Sequence, residues 1–171
     1  MNAVVQIVVM GVSGCGKSTV GLRLAQALRF DFIEGDDFHP PRNVALMAAG
    51  TPLTDADRQG WLQTLAEKLG AAHTDNRGLV LSCSALKRRY RDVLRAPTPG
   101  LLFVHLHADA EVLAARVATR AHRYMPASLL ASQLATLEVP GPDENAITLD
   151  AAEPTERIVQ TVLQRLESRA V

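Results

Sequence analysis

A short apolar run, residues 4–10, leads straight into Gly11-Val12-Ser13-Gly14-Cys15-Gly16-Lys17-Ser18, and an amphipathic stretch over residues 18–28 follows. Few local patterns leave the backbone so little choice. The loop fits G-x-x-x-x-G-K-[ST] between a buried strand and a helix. In that context glycines let successive backbone N–H groups point inward at an anion, and the helix amino end adds partial positive charge. The anion such a loop holds is a phosphate chain. The backbone of Gly11, Val12, Ser13, Gly14, Cys15, Gly16, Lys17, Ser18 and Thr19 is therefore expected to cradle the phosphates of ATP, with Lys17 bridging the β- and γ-phosphates and Ser18 ligating Mg²⁺. Cys15 serves through its backbone, so it reads as a tolerated small residue rather than a redox switch.

Beyond the loop, apolar runs alternate with amphipathic ones. Residues 30–33 form a short strand candidate that the prolines of "HPPRN" stop, since proline cannot donate to a central ladder. Residues 42–49 read as a short helix ended by Gly50. Thr54 and Asp57 resemble a capping box, and Trp61, Leu62, Leu65 and Leu69 give the helix it opens one apolar face. "GLVLSCS" reads as a buried strand, residues 85–94 as a helix and "LLFVHLH" as another strand. Asp109 caps a helix through Thr119, residues 146–149 are a last strand, and residues 154–168 are a closing helix with Pro154 near its first turn. Strands alternating with helices imply parallel pairing, hence an α/β sheet covered on both faces.

Composition excludes several partners. At 171 residues the chain suits one domain over residues 1–171. Lys plus Arg and Asp plus Glu number 18 each, so there is neither the basic field of a nucleic-acid binder nor an acidic tail. A small-molecule partner is expected. Cys15 and Cys83 lack metal-ligand spacing and read as two reduced thiols. The first apolar run is too short to span a bilayer, and no basic n-region accompanies it, so no membrane partner is expected and the protein reads as soluble and cytoplasmic.

The stretch "FIEGDDFHP" follows the second strand, whose carboxyl end faces the same crevice as the phosphate loop in an open α/β sheet. If the chain stays extended there, Glu34 and Asp36 point one way and Asp37 the other. Asp36 is then placed to accept the proton of an attacking hydroxyl, and Glu34 to hold Mg²⁺ through water.

The phosphate loop together with "GDDFHPPRN", "MAAGTPLTDADRQGWL", "CSALKRRYRD" and "SQLATLEVPGPDE" resembles the gluconokinase family, within the shikimate-kinase and nucleoside-monophosphate-kinase group of small P-loop folds. The resemblance implies ATP-dependent phosphorylation of D-gluconate at its 6-hydroxyl, giving 6-phosphogluconate and ADP. It also implies a five-stranded parallel sheet, a substrate-binding segment near residues 39–72, a lid near residues 120–140 and a homodimer. A polyhydroxylated carboxylate needs a cation for its acid end and hydrogen-bonding side chains for its hydroxyls. The candidates are Asp36, His39, Arg42 and Asn43, then Arg58 and Trp61, spaced i, i+3 on one helix face, then Ser84, Lys87 and Arg91. Arg88 and Arg89 point elsewhere into solvent. Tyr90 reads as structural, His105 and His107 as packing residues, and His73 as surface. By resemblance Arg116 stacks on adenine and Arg123 closes over the phosphates, with Arg120 as the alternative. The sequence departs from the family's R-x-G-H-F here, carrying Arg120-Ala121-His122-Arg123-Tyr124.

Three other functions share parts of this pattern. A shikimate-type kinase typically has three glycines where this chain has Cys83-Ser84-Ala85. A nucleoside-monophosphate kinase would differ in its acceptor. An ATP-dependent switch would bind nucleotide without transferring phosphate; the third strand's "LVLSCS", with no aspartate at the usual second magnesium position, suits a small kinase better.

Overall fold

The computed structural model describes residues 4–119 and 129–170. Five strands form one sheet: β1 (Gln6–Met10), β2 (Asp31–Glu34), β3 (Leu79–Ser82), β4 (Leu102–His107) and β5 (Ala146–Asp150), in the spatial order β2-β3-β1-β4-β5. Every pairing is parallel. In β1, Gln6 to Val9 run beside Leu79 to Ser82, and Ile7 to Met10 beside Leu102 to His105. All five residues of β1 are buried, which explains why it is apolar but for Gln6: a central parallel strand has no solvent face. Gln6, the one polar residue in it, donates from Nε2 to the Arg77 carbonyl at 2.7 Å and meets His73 Nδ1 at 3.1 Å.

Helix α1 (Lys17–Leu28) packs on β1, β2 and β3 and against α7 (Thr155–Arg169), while α3 (Asp55–Thr74) packs on β1 and against α4 (Arg88–Arg95). Between them lie α2 (Pro41–Ala48), α5 (Ala110–Thr119) and α6 (Leu129–Thr136). The core runs continuously from Ile7, Val8 and Val9 to Leu24, Leu65, Leu81, Phe103 and Val162. Among the described residues no helix is long and apolar enough to cross a membrane. Cys15 and Cys83 are free and buried, and burial pushes the Cys83 thiol up to about 12.

Local signals account for most boundaries. The capping box is present in both directions: Asp57 N–H donates to Thr54 Oγ1 at 3.1 Å, and Thr54 N–H to Asp57 Oδ2 at 2.9 Å. Helix α2 begins on Pro41 and is closed by Gly50 at φ 77°, with Thr51 N–H reaching the Leu46 carbonyl at 2.9 Å. The helix expected over residues 85–94 starts only at Arg88. Ala85 sits in the left-handed region at φ 45°, and the loop it belongs to is sewn to the end of β1. Cys83 N–H donates to the Val9 carbonyl at 3.1 Å, and Gly11 N–H to the Ser84 carbonyl at 3.3 Å. Pro154 is the N-cap of α7, next to its first turn. Residues 129–136, expected within a lid, form a helix.

The structure corrects the substrate-contact expectation for Arg91. Its side chain is 0% exposed and all three of its nitrogens are engaged inside the protein: Nε and Nη2 with Glu144 at 2.7 and 3.1 Å, and Nη1 with the Ala85 carbonyl at 2.8 Å. The i, i+4 relation to Lys87 that drew attention to it is real, but α4 turns that position into the core. Arg95 adds a second cation at 2.8 Å from Glu144 Oε1. Burial alone would raise the Glu144 pKa. The bonds from Arg91, Arg95 and the Gly141 N–H overcome it and hold the carboxyl at about 2, so the contribution of this group to stability is complete above 4.5 and is lost as pH falls through about 2. This network ties the loop after β3 to the segment before β5.

Removing one partner of a buried pair strands the other charge. Arg91→Met should therefore lower the unfolding free energy by about 3–5 kcal/mol. Arg88→Met, which removes only the exposed pair with Asp143, should cost at most about 1 kcal/mol. Urea denaturation of both variants beside the wild type checks the contrast, and equal losses would show that Arg91 is not the internal tie described.

Candidate active site

The loop between β1 and α1 approaches its neighbours too closely for any side chain at its first position. A Cβ on Gly11, at φ 147°, would lie 2.7 Å from Cys15 Sγ and 2.8 Å from the Leu106 carbonyl. Gly16 caps α1 at φ 95°, the left-handed turn that brings the chain into the helix amino end. Cys15 is buried against Gly11. Lys17 folds back, its Nζ donating to the Val12 carbonyl at 3.2 Å. The Ser13 N–H donates to Gln133 Oε1 of α6 at 2.7 Å.

Two carboxylates stand beside this loop, by a route other than the one expected. The chain does not stay extended after β2: residues Gly35–Phe38 form a 3₁₀ turn, so strand alternation cannot be what directs Asp36. The turn nonetheless brings Asp36 into one cleft with Lys17, His39, Arg58, Trp61 and Ser84. Glu34, at the end of β2, accepts a hydrogen bond from the Ser18 hydroxyl. Burial raises the Glu34 pKa, and the charge of Asp36 adds to it. Opposite Glu34 in the β2–β3 register, Ser82 is fully buried, and its side chain, like that of Ser18, works against the rise in the Glu34 pKa. Ser18 and Glu34 thus present hard oxygen donors side by side, the donor type that suits a magnesium ion completed by phosphate and water. Among the described residues no group of three or more His, Cys, Asp or Glu could hold a metal by itself.

The opposite wall is held by a polar network. Trp61 donates from Nε1 to the Gly35 carbonyl at 2.8 Å, pinning the 3₁₀ turn to α3, and stacks on His39 with ring centroids 4.0 Å apart. Asn43 Nδ2 donates to the Asp57 carbonyl at 2.8 Å and lies 3.3 Å from His39 Nδ1. That contact leaves the neutral imidazole's proton on Nε2, 3.7 Å from Asp36 Oδ1. Burial, reinforced by Arg58, lowers the His39 pKa to about 4. Arg58 is aimed in turn: its Nη1 donates to the Tyr90 hydroxyl at 2.9 Å, and Tyr90 donates to Asp55. Lys87 and Arg89 neutralise Asp55 at 3.0 and 2.8 Å. Tyr90, expected to be structural, is also the link that fixes the direction of Arg58.

Other expected contacts fall outside the cleft lining. Arg42 is 77% exposed and 3.6 Å from Asp57; Asn43 is buried behind His39; Lys87 faces Asp55; Arg91 lies in the core. Arg116 donates to the Ala151 carbonyl, just past β5, at 3.2 Å. Arg120 and Arg123 lie outside the described residues. Sequence reasoning missed Ser132 and Gln133, which α6 brings to the same cleft, and the apolar wall of Met47, Leu53 and Leu129. A signal for Gln133 existed: it falls four residues after Leu129 on the buried stripe of α6, a lone polar residue on an apolar face.

A shikimate kinase family model matches residues 13–167. A gluconokinase of Gluconobacter oxydans (strain 621H) is 46% identical over 166 residues, which cover 95% of this chain and 91% of that protein. The chain belongs to the gluconokinase family. Within that family, the thermoresistant gluconokinase of Escherichia coli (strain K12) is 40% identical over 92% of this chain and 90% of its own length. A solved gluconokinase from Sinorhizobium meliloti 1021 superposes with a TM-score of 0.88 at 47% identity, covering 99% of this chain and 95% of that one.

A neutral His39 beside Asp36 and Arg58 has a spectroscopic consequence. Its pKa is lowered below the ordinary 6.5, so keeping it neutral stabilises the fold above 6.5, and that contribution is lost as pH falls toward about 4. In an NMR titration the His39 ring resonances should stay those of the Nε2–H tautomer from neutral pH down to well below 6; an inflection near 6.5 would contradict the packing described.

Proposed function

We propose that this chain transfers the γ-phosphoryl group of ATP to the 6-hydroxyl of D-gluconate, releasing ADP and 6-phosphogluconate. The observation that carries this reading is the single cleft shared by Lys17 of the phosphate loop with Asp36, His39, Arg58 and Ser84, in a chain of the gluconokinase family. The loop backbone from Gly11 to Thr19 takes the phosphates, and Lys17 leaves the Val12 carbonyl to bridge the β- and γ-phosphates. Arg58 binds the acid end of gluconate, while His39 and Ser84 bind hydroxyls and Trp61 backs the pocket. Arg42, Asn43 and Lys87 act from behind this lining. The 6-hydroxyl oxygen forms its bond to the γ-phosphorus as the bond from that phosphorus to the β–γ bridging oxygen breaks. The hydroxyl proton passes to Asp36 and the bond's electron pair leaves with ADP. When bound, Mg²⁺ neutralises charge on the β- and γ-phosphates, held by the Ser18 hydroxyl and, through water, by Glu34. Arg116 stacks on adenine and Arg123, or alternatively Arg120, closes over the phosphates from a lid near residues 120–140, in the part that precedes the anchored helix α6. The family resemblance further supports one kinase domain that works as a homodimer in the cytoplasm.

ADP release measured with gluconate, shikimate, nucleoside monophosphates and no acceptor tests the assignment, and stimulation by gluconate alone is expected. Lys17→Ala should reduce turnover by at least about 100-fold, because it removes a cation from the charge that develops in transfer; near-normal turnover would remove the phosphate-loop role. Asp36→Asn should lower kcat by about 10²- to 10⁴-fold while the dissociation constant for ATP stays close to that of the wild type. Unchanged turnover would exclude Asp36 as the base.

A further inference from the structure

We infer that Gln133 is a positioning residue for phosphoryl transfer, holding the Val12–Ser13 peptide of the phosphate loop at a set orientation; the inference rests on the kinase function proposed above. Both polar ends of that one peptide are tied. Its carbonyl accepts from the Cys15 N–H at 3.3 Å and from Lys17 Nζ at 3.2 Å, and its N–H donates to Gln133 Oε1 at 2.7 Å across 120 residues of sequence. Ser13 and Gln133 are both 7% exposed, so water does not readily take over either half of the bond.

The loop needs such a tie because of its own composition. Gly11, Gly14 and Gly16 all have positive φ, so the Val12–Ser13 segment is carried between glycine hinges whose own dihedrals resist its displacement only weakly. Hydrogen bonds must then set which way each N–H points. On nucleotide binding Lys17 exchanges the Val12 carbonyl for phosphate oxygens, which frees one end of the peptide just when its orientation matters most. Gln133 retains the other end.

Gln133 is itself well held. Leu129, at the start of α6, packs with Met47 and Leu53. Past its other end, Glu138 N–H donates to the Leu86 carbonyl at 2.7 Å, and Glu138 Oε1 accepts from Arg88 N–H at 2.9 Å. A helix anchored at both ends thus carries the acceptor, which lines the same cleft as Lys17, Asp36 and Ser84. A neutral amide is the suitable acceptor here, since a carboxylate would set a negative charge against the incoming phosphates.

Two variants and two readouts test this. Gln133→Met keeps the volume and deletes the acceptor. It should lower kcat for gluconate phosphorylation by about 10- to 100-fold, as misalignment of reacting groups does. KM for gluconate should stay within about twofold. The Ser13 amide, followed by ¹⁵N–¹H NMR, should lose protection from hydrogen exchange. Gln133→Glu keeps the acceptor, so Ser13 protection should persist while KM for ATP rises. Wild-type kcat in Gln133→Met, unaltered Ser13 exchange in that variant, or a loss confined to KM for gluconate would each overturn the role of Gln133. Absence of gluconate-dependent ADP release in the wild type would instead overturn the kinase function. The Ser13 exchange measurement judges the tie without turnover.

Discussion

The site depends on the backbone hydrogen bonds that hold the carboxyl ends of parallel strands together. Because β1 lies between β3 and β4, its carboxyl end is hemmed in on both sides, and the loop that leaves it must pass within van der Waals distance of Leu106 and the segment after Ser82. Gly11 meets that requirement by having no side chain, and its N–H is bonded to Ser84. The same bond fixes where Ser84 faces the cleft. The phosphate loop and the loop after β3 are therefore one hydrogen-bonded unit; the end of β2 joins it where Ser18 donates to Glu34, and the turn that follows is pinned to α3 by Trp61 and the Gly35 carbonyl.

Charge in and around the cleft is placed by partners behind it. Arg58 is steered by Tyr90, which is held by Asp55, which is neutralised by Lys87 and Arg89. His39 is kept neutral by burial and Arg58, so the stacked pair with Trp61 offers a hydrogen-bonding face without a competing positive charge. Among the described residues that line the cleft the cations are Lys17 and Arg58, two positive charges suited to anionic ligands. Arg91 and Glu144, at first sight similar in chemistry, do a different job: their charges satisfy each other inside the core and hold loops in place.

Much of the chain was legible because each clue was local. The strand–loop–helix, the Thr54–Asp57 capping box, the Gly50 stop and the mainly apolar central strands are each set by a few adjacent residues. The cleft residues Lys17, Asp36, His39, Arg58, Trp61 and Ser84 were named from motifs, and they meet in the structure. Asp36 arrives through a 3₁₀ turn rather than an extended strand, so the residue was legible and its path was not. Arg91 was misplaced because helical spacing says which residues share a face and not which way that face turns. Gln133 was missed because its partner is 120 residues away.

The amino-acid sequence by itself determined the alternating α/β plan, the anion-binding loop and the chemical character of the cleft, since dihedral preference, periodicity and side-chain chemistry act over a few residues. Only the tertiary structure decided which cations face the cleft and which are spent in the core, how the direction of Arg58 is set through Tyr90 and Asp55, and that α6 reaches the phosphate loop through Gln133. Those outcomes follow from which buried polar groups find one another when distant segments pack, and a desolvated donor or acceptor takes the partner that packing brings it, however remote in the chain.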